Sequence, residues 1–269
     1  MMTIKKILLS LVLLVYLTPL HAIEIKNDND AILKLGMEMS NMRNMLEAYI
    51  LIGIKLEYKN PTKKLKDGIT HYEDLLHALQ SKYKNDKAMQ NSIDTSFHAW
   101  KIVRKAMVLA LDKKNSLKKM KDGAIFIHGN IRTVIKEMAR MKKILLDKST
   151  IQDKDVLNAS IEIAASSRRL SAHYMMALWH LDDPTIKKHW DKGLKIYGDS
   201  LNILRHSAYV ENKEFLDLLS SCRKYHRYFV RMWDKPKIFS ILIDKKADIV
   251  FHKAKRMTDI ILKRNQNGK

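Results

Sequence analysis

Few residues of this chain could do chemistry, and the most telling of them is an arginine on an apolar face. Ile161, Ala164, Arg168, Ser171, Met175 and Leu178 follow one another at spacings of three and four, the spacing of a helix face turned toward a core. Arg168 and Ser171 interrupt that stripe. A guanidinium keeps its proton, so on a buried face it needs an acceptor. That acceptor is either a neighbouring carboxylate, with Glu162 and Asp199 as the partners the sequence offers, or a bound anion. The small residues Ala164, Ala165, Ser166 and Ser167 just before it would let another helix or a ligand come close.

Other reactive types offer less. Met37, Met39, Met42 and Met45 invite a copper reading, since thioethers suit Cu(I). Met39 and Met42, however, fall on the apolar stripe of their helix, and methionine commonly fills gaps in cores. The histidines are scattered. His173, His180 and His189 form no i, i+4 pair of the kind a helical metal site uses, so no metal is expected. Cys222 stands alone, which excludes an intrachain disulfide and a multi-cysteine zinc site. No glycine-rich phosphate loop, nucleophile elbow or haem attachment motif is present, and neither catalysis nor a cofactor is expected.

The elements that would position these residues are helical. Only 8 glycines and 4 prolines in 269 residues argue against an all-β fold, and 46% apolar residues argue against disorder. Ile32, Leu35, Met39, Met42, Leu46, Tyr49, Gly53 and Leu56 alternate by three and four without a break, which predicts a first helix reaching Leu56. Asn60-Pro61 and Asp183-Pro184 each place a capping residue ahead of a proline suited to a first helical turn. Further helices are predicted at Asp86 to Leu111, Gly123 to Asp147, Asp155 to Leu181, Pro184 to His206, Glu211 to Trp233 and Ile238 to Arg264.

Residues 1–22 read as a cleaved signal peptide. Lys5 and Lys6 precede the apolar run Ile7 to Leu17, and Pro19-Leu20-His21-Ala22 supplies a small-residue cleavage site. A periplasmic, soluble mature protein is therefore expected. Its net charge of +21 for the whole chain, met outside the cell interior, points to anionic partners other than nucleic acid.

The two halves resemble each other. Gly68, Tyr72, Asp74, Leu76 and Leu79 match Gly193, Tyr197, Asp199, Leu201 and Leu204 in order, each set behind its proline. The expected architecture is all-α, with two tandem four-helix-bundle units of eight helices in total, residues 23–150 and 151–269.

Within this frame, Ile163-Ala-Ala-Ser-Ser-Arg-Arg-Leu-Ser-Ala-His-Tyr-Met-Met176, with the Asp-Pro that follows, resembles the N-terminal sensor domain of type IV pilus chemotaxis transducers (PilJ-type). It is similar also to the NarX-like periplasmic sensor of nitrate and nitrite kinases. Both families carry Ala-Gly-x-x-Arg-Met-x-x-x-Arg on the first helix of a four-helix bundle. Leu35-Gly-Met-Glu-Met-Ser-Asn-Met-Arg-Asn-Met-Leu46 is a second, more degenerate copy. The resemblance implies a sensor module that binds a small anion or other small polar ligand where two motif helices meet. Arg168, Ala165, Ser167, Ser171, Arg43 and Gly36 are its residues here. It also implies a membrane-bound chemotaxis transducer or sensor kinase as partner. Departures weaken the copy: Ala165 replaces the motif glycine, His173 the later arginine, and Met39 and Asn44 stand at the arginine positions of the first half. The alternative is a structural or interaction bundle that has lost its ligand.

Overall fold

The structure, a computed structural model, describes residues 23–112, 114–235 and 240–267. The signal-peptide reading of residues 1–22 and the expected helix start at Ile238 lie outside the described residues. Within them the protein is all-α, with eight α-helices and no strand. These are α1 (Asp28–Gly53), α2 (Pro61–Lys82), α3 (Lys87–Val108), α4 (Leu117–Lys148), α5 (Lys154–Leu178), α6 (Thr185–Arg205), α7 (Lys213–Met232) and α8 (Ser240–Asn267).

Most starts are set by a side chain that satisfies an orphan backbone N–H of the first turn. Asn27 accepts from the Asp30 amide at 3.0 Å, Asn60 from that of Lys63 at 3.0 Å, Asp86 from that of Met89 at 3.2 Å and Asn212 from that of Phe215 at 3.0 Å. Ser116 does the same for Lys119, which starts α4 six residues before the expected Gly123. Other ends also differ from expectation. α1 stops at Gly53, where a Cβ would lie 2.2 Å from the Trp179 ring, and the chain leaves through Lys55 at a φ of 57°. α5 stops at Leu178, followed by His180 at a φ of 51°. α3 tightens into a 3₁₀ turn over Leu109–Leu111.

Packing follows chain order. α1 packs on α2 and α4, and α3 packs on the same two; α5 packs on α6 and α8, and α7 packs on the same two. The two sets meet along α1 and α5, so each of these helices has neighbours on every side. That explains why Met37 and Met45, off the expected stripe, are buried along with Met39 and Met42. At the crossing, Gly36 lies so near Ile161 that a Cβ would sit 2.8 Å from its Cγ2 atom. Two turns on along α1, Arg43 Nη1 donates to the Ala165 carbonyl at 3.0 Å and to the Met39 carbonyl at 3.3 Å.

Residues matched between the halves occupy matched places. The Tyr72 hydroxyl is 2.6 Å from Ser96 Oγ, with the Trp100 ring edge-on at 4.7 Å. The Tyr197 hydroxyl donates to the Cys222 carbonyl at 2.9 Å, with the His226 ring edge-on at 5.0 Å. In both cases the ring partner lies four residues beyond the hydrogen-bond partner. Among the described residues no helix is long and apolar enough to cross a membrane.

Candidate functional site

Arg168 is 4% exposed, enclosed as its place on the stripe requires. Its partners come from α8: Nη1 lies 3.0 Å from Asp244 Oδ1, and Nη2 pairs with Asp248. Glu47 of α1 stands 4.0 Å away, and the Phe251 ring faces the guanidinium at 5.7 Å. Neither Glu162 nor Asp199, the partners the sequence offered, takes part; Asp199 pairs with Lys195. Asp244 and Asp248 are one helical turn apart and present two carboxylates to one guanidinium.

Two lysines complete the cluster from the α1–α2 side. Lys59 reaches Asp244 at 3.2 Å and pairs with Asp248, and Lys64 lies 3.6 Å from Asp244. Burial opposes ionisation of Asp244. The Glu47 proton and the charges of Lys64, Arg168 and Lys59 outweigh it and hold that carboxyl well below the usual range. Burial and the facing Asp244 charge instead push Glu47 up to about 8, so it is protonated at neutral pH. Arg168 is thus neutralised from within, as in the alternative of a packed bundle that needs no ligand there.

The next residue faces the opposite situation. Arg169 turns away from α8 toward a cavity of about 230 Å³ bounded by α1, α4, α5 and α6. Arg43, Arg132, Lys136, Arg169 and Lys192 line it together with His128, His173 and His189, and Leu46, Ile131, Ile135 and Ala172 form its apolar wall. No carboxylate is among these described lining residues. Arg169 Nη1 and His173 Nδ1 are buried without a hydrogen-bond partner, which is costly for polar atoms and more so for a charged one.

The three imidazoles converge from three helices, with ring centroids 5.2 Å (His128 to His173), 5.4 Å (His128 to His189) and 5.8 Å (His173 to His189) apart. His128 Nε2 is 3.2 Å from His173 Nε2, and His128 Nδ1 is 2.8 Å from Asp183 Oδ2. Arg132 donates to His189 Nε2.

Electrostatics in the cavity lean one way. Burial, then the Arg169 charge, disfavours the positive form of Arg43. Burial, then Arg132, takes His189 down to about 4. Burial lowers His128 against the opposing pull of Asp183, and burial together with the surrounding cations lowers His173 far below the usual imidazole range. Arginines cannot relieve this by losing a proton. What relieves it is negative charge. Glu162 acts on Arg43 and Arg169 only as a nearby charge.

The residues expected to share one site are therefore divided. Ser167 donates to the Ala164 carbonyl at 2.8 Å and faces the Ala247 carbonyl of α8 at 3.3 Å, on the side of Arg168. Ser171 is buried with an unpartnered hydroxyl. Gly36 and Ala165 make the α1–α5 crossing, and Arg43 alone of the expected set lines the cavity. The expected clustering around Arg168 gives way to a site around Arg169 because adjacent residues on a helix point about 100° apart. The histidines, scattered in sequence, are gathered by tertiary packing that no local spacing reveals. Among the described residues no group of three or more His, Cys, Asp or Glu is placed to hold a metal ion.

No known protein family matches the chain, and neither the curated proteins nor the solved structures include a match to it. Fold and site together define an all-α protein with an internally neutralised arginine and a cationic cavity beside it.

Proposed function

We propose that this protein is an exported, sensor-like binding module whose ligand is a small anion held between Arg43, Arg169 and His173. One observation carries the reading: two buried polar atoms, Arg169 Nη1 and His173 Nδ1, lack partners in a cavity whose lining is cationic. An anion there would accept from Arg169 Nη1 and offset the mutual repulsion of Arg43 and Arg169. The cavity lies among helices of both halves, so occupancy would tie α4 to α6 as well as α1 to α5. Such a ligand-dependent clasp suits a module that reports to a separate membrane-bound transducer or sensor kinase, as the resemblance implies. We further take residues 23–150 and 151–269 as two copies of one four-helix unit in a periplasmic protein.

Thermal unfolding in the presence of nitrate, nitrite, sulfate, phosphate and small carboxylates tests the reading. At a free concentration 100 times Kd, a one-site ligand adds about 2.7 kcal/mol of stability. At least one of these anions should raise the Tm of the wild type and fail to do so in Arg169→Met. A Tm that no anion moves, or a shift that persists in Arg169→Met, removes the anion site. The second reading, a structural bundle without a ligand, draws on the closed Arg168 cluster and is what the first of those results would leave.

A further inference from the structure

Resting on that reading, the geometry of Asp183, His128 and His173 leads us to propose that the cavity takes a tetrahedral dianion of the sulfate or phosphate type, and takes one proton with it.

The hydrogen-bond directions fix the starting tautomers. Asp183 accepts from the Thr185 amide at 2.8 Å and from its hydroxyl at 2.7 Å. These bonds and that to His128 hold its carboxyl below the usual range although burial opposes it. It is a carboxylate, so His128 Nδ1 must be the protonated nitrogen that donates to it. Neutral His128 then offers only a lone pair at Nε2, and the 3.2 Å contact requires His173 Nε2–H to donate. His173 Nδ1 is left as a bare lone pair, buried and with no donor in hydrogen-bond reach. In this state the ring presents to the cavity an acceptor where an anion needs a donor.

One proton reverses that. As it binds His173 Nδ1, the proton on His173 Nε2 passes to His128 Nε2. One N–H bond forms on each ring and one breaks on His173. His173 ends neutral with Nδ1–H available to the anion, and the positive charge rests on His128 against the Asp183 carboxylate. The arrangement stores charge where a counter-ion already exists and exposes only a donor to the ligand.

The groups facing this pair from every surrounding element favour the same outcome once an anion is present. α1 contributes Arg43, α4 contributes Arg132 and Lys136, and α5 contributes Arg169 with Glu162 nearby. α6 contributes His189 and Lys192, and Asp183 lies just ahead of it. Without an anion these cations oppose protonation. A dianion lowers that opposition more than a monoanion does, since it offsets two of the five fixed cations in the cavity lining. Donors approaching from four helices also surround a ligand on several sides, which suits four tetrahedral oxygens better than the single plane of nitrate.

Sulfate is the appropriate probe because it remains a dianion between pH 5 and 8, so any proton taken up lands on the protein. Isothermal titration of the full chain at pH 5.5 and 7.5, in buffers of different ionisation heat, should show close to one proton absorbed per sulfate at pH 7.5. Affinity should be at least about tenfold tighter at pH 5.5, the limit for one linked proton being about tenfold per pH unit. Nitrate should bind more weakly than sulfate at both pH values. In His128→Gln, sulfate should still bind, with no proton uptake and a pH effect below about twofold. Nitrogen-15 spectra of histidine-labelled wild type provide a readout that needs no variant: sulfate should move His173 to the Nδ1–H tautomer and protonate both nitrogens of His128. Equal affinity at both pH values without proton uptake, or unchanged uptake in His128→Gln, overturns the relay and leaves the anion site standing. Nitrate binding as tightly as sulfate overturns the dianion. No binding of either removes the anion reading as well.

Discussion

Arg168 and Arg169 are neighbours on one helix, yet the protein treats them in opposite ways. Arg168 meets two carboxylates of α8 and an aromatic face, and its lysine neighbours are shared by the same acids. Arg169 meets Arg43, three imidazoles and no bonded carboxylate. A buried charge is tolerable when its partner is built into the fold, and it holds the fold together chiefly in the sense that removing one partner strands the other. A buried charge with no partner is a standing cost, and a cost of that kind becomes useful when something from outside can relieve it. The first region is part of the scaffold, and the second is where we propose that an anion binds.

The largest test of this contrast is a pair of truncations in anion-free buffer. Arg168→Ala leaves Asp244, which is fully buried, facing Glu47 and Asp248 without its guanidinium, and should lose about 3–5 kcal/mol in urea denaturation. Arg169→Met removes a cation from among cations and should lose no stability at all. Equal losses would erase the distinction between the two sites.

A second test reads the protonation of Glu47. Its folded value near 8 lies above the unfolded carboxylate value of about 4.3. The folded state therefore holds a proton that the unfolded state has released. Its contribution is complete below the unfolded value and is lost as pH rises through the folded one. Glu47→Gln, fixed in the neutral form, should gain on the wild type from about pH 4.3 to about 8 and gain no more beyond. Denaturation midpoints at pH 5, 7 and 9 check this, and a constant difference across them would show that Glu47 is ionised in the fold.

The smallest effect belongs to the rim of the cluster. Lys59 is 40% exposed at its side chain and sits at a φ of 54°, a backbone region that costs most residues energy. Lys59→Met should lose less than about 1 kcal/mol, and the loss should shrink at high salt, because exposed ion pairs are weak and screened. A loss as large as that of Arg168→Ala would move the centre of the cluster to the α1–α2 connection.

Much of this was legible in the residues. Spacing by three and four, with few glycines and prolines, announced the helices, and Arg168 declared its burial by breaking an apolar stripe. The capping residues before Pro61 and Pro184 marked two helix starts. The start of α4 was less visible, because the lysine-rich stretch Ser116-Leu117-Lys118-Lys119 hides a good cap ahead of the apolar residues.

The partners of Arg168 were also hidden. Asp244 and Asp248 are four apart beside Ile243, Ala247 and Phe251, so a reader looking for acids on an apolar face of the last helix would have found them. The cavity was least legible. Arg169 lies off the stripe of α5, and His128, His173 and His189 belong to three helices whose relative rotation depends on how α1 and α5 cross. Local periodicity gives each helix a buried face. It does not say which polar residues on different helices will share a void.

The most direct test of the uncompensated cavity is crystallographic. Crystals grown in selenate, a tetrahedral dianion with an anomalous scatterer, should show an anomalous peak within hydrogen-bond reach of Arg43, Arg169 and His173 and none at Arg168. A peak against Arg168, or an empty cavity at a selenate concentration that raises the Tm, would contradict the assignment of the two arginines.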